Sequence, residues 1–407
     1  MTKGKWKSAQ KCASASKITT SIFATIFLKH FTLAYNFKTT LVIGLGLIGG
    51  SFAKALQKYQ ISEEIFACDV NIESVNLAKA IGLIRDGKSD LDSFQKELIT
   101  FDLIVLATPL SEYKKTLDQI LNKIKKDAIV IDLGSIKELN SKSNIIPENL
   151  LHNFVPCHPI AGSEKSGFEN SDPDLFVEKK FIICSEIGTK NPTKVNKIFQ
   201  TKIEDLVKKI RAIPDTSLTA KKHDEIYALV SHLPQFLSFL TKEFSPEEIE
   251  DEFLKTAFRL DKADPKIWEG EFGIFQFNEE NLEKFYLKFF ENLEDFIEEI
   301  AEGKYVKTLE GLIETASLTA AQQSQHENNQ FNILALEENF PEIFFRVLVV
   351  ISYLKIPEIK TFQSYAGSGF KDFSSIVTVL NFDKKKLLEL LSKSQQKILK
   401  IFDSISS

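Results

Sequence analysis

Three glycines, Gly44, Gly46 and Gly49, are spaced as G-x-G-x-x-G within the stretch 39–56. An apolar run precedes them and a helix-like pattern follows, which is the order of a strand, a tight turn and a helix. In such a unit the first glycine permits the turn, the second lets a pyrophosphate approach the backbone, and the third lets helix and strand pack closely. The spacing therefore predicts a nucleotide-binding strand–turn–helix unit.

The residues after these glycines indicate which dinucleotide is bound. Backbone N–H groups at the start of the helix, at Leu47 and Ile48, favour phosphate binding. A second apolar run ends at Asp69, at the distance where an acidic side chain binds the ribose 2′-hydroxyl. Because a carboxylate repels a 2′-phosphate, Asp69 favours NAD over NADP. The alternative is a glycine turn that only caps a helix.

The composition fits a soluble globular protein. Hydrophobic residues make up 43% and charged residues 26% of the 407 residues, and a chain of this length is expected to form two or three domains. The formal net charge of −5 argues against a nucleic-acid surface. The four cysteines lack C-x-x-C or metal-ligand spacing, so we predict no metal site and a reducing, cytoplasmic compartment.

Residues 1–38 differ from the rest because they contain no acidic residue. The apolar stretch 21–37 is interrupted by Lys29 and His30 and is too short for a bilayer span. No stable membrane span is therefore predicted. Two interpretations stay open: an extension without a catalytic role, and a peptide that targets the protein to an organelle.

From Thr39 to about residue 218 the sequence alternates apolar strand-like runs with helical patterns, which is typical of a doubly wound, mostly parallel sheet. The predicted strands are 41–44, 64–68, 103–108, 128–133, 154–157 and 181–185. The predicted fold class is therefore α/β, with a Rossmann-type domain over 39–218. Residues 219–325, which begin with one long helix over 221–244, predict an all-helical second domain. Residues 326–407 predict a helical C-terminal extension.

This extension, 326–407, contains a candidate degenerate repeat of the helical domain. The run LPQFLSFL from Leu233 resembles FPEIFFRVL from Phe340. Each run leads to an aromatic-basic motif, AFRL at 257–260 and GFKD at 369–372. The alternatives are chance similarity between amphipathic helices and a small regulatory domain.

Polar residues follow the predicted strands, at the sheet edge where an open α/β sheet binds ligands. Thr108 and Pro109 follow the third strand, Ser135 follows the fourth and His158 follows the fifth. The unperturbed pKa of histidine, about 6.5, suits proton transfer at neutral pH. His158 is therefore the predicted acid–base residue, and hydride transfer is the chemistry expected with NAD. An inert loop histidine is the alternative.

Arg259 and Lys255 lie one turn apart in a predicted helical stretch. The planar guanidinium suits a carboxylate, so we expect an anionic substrate, although a structural ion pair would serve the same arginine. Glu164, in the loop after His158, is predicted to orient the substrate. A solvated loop acid is its simpler interpretation.

These groups occur together, and in this order, in the prephenate/arogenate dehydrogenases, the tyrosine-pathway enzymes that the chain resembles over about residues 39–300. The matching motifs are GLGLIGGS at 44–51, ATPL at 107–110, DLGSIK at 132–137, HPIAGSEKSG at 158–167, HDEIYALVSHLP at 223–234 and FRLDKADPKIW at 258–268. The resemblance implies NAD-dependent oxidative decarboxylation of prephenate or arogenate, and a homodimer formed through the helical domain.

The resemblance also implies roles for single residues. His158 matches the catalytic histidine, which hydrogen-bonds the ring hydroxyl of the substrate. Ser135 matches a serine that contacts the same hydroxyl and helps to position the histidine. Arg259 matches the arginine that binds a substrate carboxylate. The other predicted substrate-binding residues are Lys255, Glu164, His232, Gln235 and Trp268, the last of which matches an aromatic residue contributed across the dimer.

Two departures from the family pattern keep other functions open. Gln235 stands where many members have a histidine, and the second motif, AGSGFKDFSSI at 366–376, carries Ser375 at the arginine position. Asn339 and Glu342 stand at the matching upstream histidine positions. One alternative is a catalytically impaired dinucleotide-binding regulatory protein. Another is a dehydrogenase that acts on a different hydroxy acid.

Overall fold

The computed structural model describes residues 36–140, 144–162, 165–187, 193–245, 255, 257–262, 274–320, 340–381 and 383–406. We call residues 36–218 the sheet region, 219–320 the helical region and 340–406 the C-terminal segment. The strands are β1 Phe37–Ile43, β2 Ser62–Cys68, β3 Asp86–Lys88, β4 Leu103–Leu106, β5 Ile129–Asp132, β6 Phe154–Pro159, β7 Lys180–Ile183, β8 Glu186–Ile187, β9 Thr193–Lys194 and β10 Ile213–Asp215.

Eight of these strands form one sheet in the order β10-β7-β6-β5-β4-β1-β2-β3, while β8 and β9 pair separately. All pairs in the large sheet are parallel except β6 with β7. The strand order reverses beside β1, which is bonded to β2 on one side and to β4 on the other. Such a reversal leaves a crevice at the carboxyl ends of the strands.

The predicted mostly parallel sheet is confirmed, and the predicted strands match β1, β2, β4, β5, β6 and β7 to within a few residues. The prediction missed β3, β10 and the β8–β9 hairpin. Each of these strands has only two or three residues, which is too few to show an alternating apolar pattern.

The helices of the sheet region are α1 Leu47–Lys58, α2 Ile72–Ala80, α3 Tyr113–Ile120 and α4 Lys197–Lys209. Short 3-10 helices cover Asp92–Phe94, Leu98–Thr100, Leu110–Glu112, Glu148–Leu150 and Phe168–Asn170. Because Phe52, Ala53 and Leu56 of α1 are fully buried, the first turn of this helix is held at the glycine turn after β1.

The helical region contains α5 Ala220–Tyr227, a π-helical turn Ala228–His232, α6 Leu233–Thr241, 3-10 turns Lys242–Phe244 and Arg259–Lys262, α7 Ile274–Phe277, α8 Glu279–Ala301 and α9 Tyr305–Ala320. The single helix predicted over 221–244 is thus one helical course interrupted by a π-helical turn. π-helical turns are rare in proteins, but those that occur are often found at functional sites.

The C-terminal segment contains α10 Phe340–Leu354, α11 Ile359–Phe362, α12 Ser368–Ser375 and α13 Lys384–Ser406, with 3-10 turns at Gln363–Tyr365 and Ile376–Asn381. Every residue of α10 from Ile343 to its end is buried, and the helix packs on α8, α9 and α13. The segment therefore extends the hydrophobic core of the helical region. A Rossmann-type domain followed by a helical domain and further C-terminal helices is confirmed.

Among the residues that the structure describes, none of the helices combines the length and the apolar content that crossing a membrane requires.

Candidate active site

The glycine turn after β1 has the shape that a dinucleotide requires. Gly44 has a φ of 98°, and a Cβ there would lie 2.5 Å from the Ala107 carbonyl oxygen. A Cβ at Gly49 would lie 2.0 Å from the Gly44 carbonyl oxygen, so both glycines are needed for close packing. A Cβ at Gly46 would meet no atom within 4 Å. The middle glycine therefore faces open space.

Asp69 lies beside this turn at the end of β2. Its carboxylate accepts hydrogen bonds from the Leu45 backbone N–H at 2.5 Å and from the Asn71 backbone N–H at 2.7 Å. These two bonds hold the carboxylate next to the glycine turn while the residue stays half-buried. This is the position from which an acidic side chain binds a ribose 2′-hydroxyl.

The remaining residues of the turn fit the same ligand. The first turn of α1, with Leu47 and Ile48, has no acidic side chain, and no side chain caps its N-terminus, so its backbone N–H groups suit phosphate oxygens. Thr108 follows β4 at the same sheet edge as Pro109, and within the described structure its buried hydroxyl oxygen has no hydrogen-bond partner. An orphaned buried hydroxyl indicates a partner that belongs to a ligand. The residues present therefore fit NAD.

His158, on β6, is the first member of a chain of hydrogen bonds that crosses from the sheet region to the helical region. Its Nδ1 lies 2.8 Å from Nε2 of His223 on α5. Nδ1 of His223 lies 2.7 Å from Oδ1 of Asp224. The Asp224 carboxylate also accepts the backbone N–H groups of Lys137 at 2.9 Å and Glu138 at 2.8 Å. The chain thus ends on an anchored carboxylate.

This chain fixes the tautomers of both histidines. An ionised Asp224 only accepts hydrogen bonds, so Nδ1 of His223 must donate and Nε2 of His223 must accept. His158 then donates from Nδ1 and carries its lone pair on Nε2. Burial, assisted by nearby positive groups, lowers the pKa of both histidines well below 6.5. His158 is therefore neutral at pH 7 and can accept a proton at Nε2.

A buried ion pair supports the strand end that carries His158. Lys137 Nζ contacts the Asp132 carboxylate, both side chains being fully buried, and donates to the Cys157 carbonyl at 2.6 Å. The Cys157 backbone N–H donates to Asp132 at 3.1 Å. Burial raises the pKa of Asp132, an effect that Lys137 opposes. The network ties the loop after β5 to β6 one residue before His158.

Arg259 lies in the helical region and pairs with the C-terminal segment. Its guanidinium donates from Nε to Oδ2 of Asp372 at 2.7 Å, and Nη2 contacts the same oxygen. Gln235 lies close by, and its amide donates to the Leu260 carbonyl at 2.8 Å. Gln235 therefore holds the backbone beside Arg259 through its amide nitrogen, and its predicted role in substrate binding stays a prediction. Lys255 is half-buried one turn earlier in the chain.

The structure describes some of the other predicted site residues and not others. Ser135 lies half-buried in the loop after β5, and within the described contacts His158 is bonded to His223 and not to Ser135. His232 is buried, with Nδ1 3.0 Å from the Asn278 amide nitrogen. That amide also donates to the Asp224 carbonyl at 2.8 Å. Glu164 and Trp268 lie outside the described residues, so their predicted roles stay predictions.

Sequence reasoning missed three groups at this site: the His223–Asp224 pair as the partner of His158, the Lys137–Asp132 ion pair, and Asp372 as the partner of Arg259. The first two lie inside the quoted motifs at 223–234 and 132–137, so their presence was visible although their contacts were not. Nothing local to Asp372 indicates its partner, which lies 113 residues away.

Comparison with known proteins gives consistent matches. The family model described as "Prephenate dehydrogenase, nucleotide-binding domain" matches residues 52–211, and that described as "Prephenate dehydrogenase, dimerization domain" matches residues 219–314. The chain is 34% identical over 203 residues to the prephenate dehydrogenase of Lactococcus lactis, covering 49% of this chain and 52% of the relative. It is 29% identical over 204 residues to the cyclohexadienyl dehydrogenase of Zymomonas mobilis, covering 50% and 66%.

Among solved structures, the prephenate dehydrogenase of A. aeolicus in complex with hydroxyphenyl propionate and NAD+ has a TM-score of 0.60 and 27% identity. The match covers 70% of this chain and 98% of that chain. The match to the curated relatives is less extensive, since it spans about half to two thirds of their length.

Proposed function

Because the chain belongs to the prephenate/arogenate dehydrogenase family, we propose that it catalyses the NAD-dependent oxidative decarboxylation of prephenate or arogenate in tyrosine biosynthesis. The products are 4-hydroxyphenylpyruvate or tyrosine, together with CO2 and NADH. The observation that carries the proposal is the chain from His158 through His223 to Asp224, which presents a neutral imidazole at the same edge of the sheet as the glycine turn.

In this mechanism His158 acts on the ring hydroxyl. Nε2 of His158 accepts the hydroxyl proton while the hydride leaves the ring carbon that bears the hydroxyl. NAD, when bound, takes up that hydride. Loss of CO2 from the ring then makes it aromatic, and the phenolate oxygen takes the proton back from Nε2 of His158. The His223–Asp224 pair keeps the lone pair of His158 on the correct nitrogen, a role that a buried carboxylate fills in other acid–base systems.

Binding and orientation of the substrate are assigned to the helical region. Arg259 binds a substrate carboxylate through its planar guanidinium, and Lys255 adds positive charge near it. Gly44, Gly46 and Gly49, with Asp69, Thr108 and Pro109, hold the cofactor. Ser135 contacts the substrate hydroxyl. The predicted homodimer is supported by the match of residues 219–314 to a dimerization domain.

The test is the appearance of NADH absorbance when the purified protein is given NAD with prephenate or with arogenate. Turnover of either substrate supports the proposal, and the ratio of the two kcat/KM values gives the preference. If a folded protein binds NAD and turns over neither substrate, the proposal fails in favour of a dinucleotide-binding protein without catalysis. A panel of other hydroxy acids tests the remaining alternative.

A further inference from the structure

The C-terminal segment makes specific polar contacts to the helical region in addition to apolar packing. Arg346 of α10 donates to both oxygens of Asp261, at 2.7 and 2.6 Å, and both side chains are buried. The Tyr353 hydroxyl donates to the Leu229 carbonyl at 2.9 Å, inside the π-helical turn. A buried ion pair tolerates little displacement, because each charge depends on the other. The segment is therefore held in one defined position.

That position brings α12 to the predicted substrate arginine. Asp372 of α12 binds the Nε edge of the Arg259 guanidinium, and both side chains are about a quarter exposed or less, 25% and 21%. α12 also contacts α6, the π-helical turn and the 3-10 turn that contains Arg259. Asp372 therefore fixes the orientation of one edge of the planar guanidinium.

The two copies of the candidate repeat have complementary residues at this contact. With Ser375 at the position of Arg259, Lys371 matches Lys255 and Asp372 matches Thr256. At these two matched positions the first copy has threonine and arginine, whereas the second has aspartate and serine. Two copies that pair with each other inside one chain need only one such contact, so this pattern fits an internal pair.

We propose that the C-terminal segment is an internal counterpart of the helices around Arg259 and that it completes the substrate site of its own chain, with Asp372 as a positioning residue for Arg259. The role of Arg259 toward the substrate rests on the proposed function. The pairing within one chain does not, and it holds whether or not two chains also associate through another surface.

The kinetic test replaces Asp372 by Asn. Without the carboxylate Arg259 loses this contact, so KM should rise about five- to twentyfold while kcat changes less than about twofold, since one charge-assisted hydrogen bond is lost. Asp372→Glu should restore most of the loss. Glu310→Gln is the matched control, because Glu310 pairs with Lys384 between the same two parts of the chain at an exposed position. An unchanged KM in Asp372→Asn would overturn the positioning role.

The test of pairing within one chain uses two differently tagged variants, Arg259→Ala and Asp372→Lys, produced in the same cells. If a second chain supplied Asp372, particles carrying both tags would contain one intact site and regain a low KM. We expect either no doubly tagged particles or particles without recovery. Recovery of the wild-type KM would overturn the proposal.

A measurement independent of activity separates this inference from the proposed function. Arg259→Cys and Asp372→Cys, combined in one chain, are joined by a short bismaleimide, with each single variant as a control. Cys12 is replaced by Ser in every variant, and Cys68, Cys157 and Cys184 are buried and are poor targets for the reagent. The joined product should have the mass of one chain on a denaturing gel and yield a peptide linking the two positions. A product of two chains would overturn the pairing, even for a protein without turnover.

Discussion

The sheet region and the helical region obtain their functional groups in different ways. In the sheet region Gly44, Gly46, Thr108 and His158 lie at strand ends, so the topology alone brings them to one edge. In the helical region Arg259 takes its place through contact with Asp372, a residue 113 positions away. Sequence motifs therefore identify the first kind of site directly, whereas the second kind depends on pairing between distant segments.

The largest effect expected in the sheet region is the loss of the base. His158→Ala should lower kcat by about 10²–10⁴, the usual size of general acid–base assistance, and leave NAD affinity nearly unchanged. Steady-state kinetics and NAD titration measure the two quantities. His152→Ala is the control, because His152 is exposed and contacts Asn196 and Phe199. A loss below about fivefold would remove His158 from the mechanism.

In the helical region the largest expected effect is on stability. Arg346→Met leaves Asp261 buried without its charged partner, which should lower the free energy of unfolding by about 3–5 kcal/mol. Urea unfolding followed by circular dichroism gives this value. The double variant Arg346→Met/Asp261→Leu should recover much of the loss because no unpaired charge remains. Equal losses in the single and double variants would show that packing, and not the ion pair, sets the position of α10.

Arg259→Ala tests whether the helical region binds the substrate through this arginine. Loss of a charge-assisted pair of about 1.5–3 kcal/mol should raise KM about 10- to 150-fold, with kcat changed far less. Arg85→Ala is the control, since Arg85 pairs with Glu64 at an exposed position of the sheet region. If KM were unaffected, Arg259 would be a structural partner of Asp372 only.

The smallest effect is a pH dependence that joins the two regions. Burial raises the pKa of Asp224 to about 7, and burial lowers that of His158. As the pH falls through about 7, Asp224 takes up a proton and no longer anchors the neutral chain, so kcat/KM should decline by at most tenfold per pH unit. Enzyme held at each pH and assayed at pH 8 controls for unfolding. A kcat/KM that stays constant from pH 8 to pH 6 would contradict this role of Asp224.

The same comparison explains what could be predicted from the sequence. The mostly parallel sheet, the glycine turn with Asp69 beside it, and the place of His158 at a strand end follow from short-range patterns that the structure confirms. The contact of His158 with His223 spans 65 residues and two regions, and no local pattern specifies such a distance. The π-helical turn at 228–232 could not be predicted either, because its residues fit the pattern of an ordinary α-helix.

The hydrogen bond between His158 and His223 links the sheet region directly to the helical region. A movement that separated the two regions would break this bond and release the tautomer of His158 from the control of Asp224. His158 then carries its lone pair on Nε2 only while the two regions are in contact. Proton removal therefore depends on the contact between the two regions as well as on His158 itself.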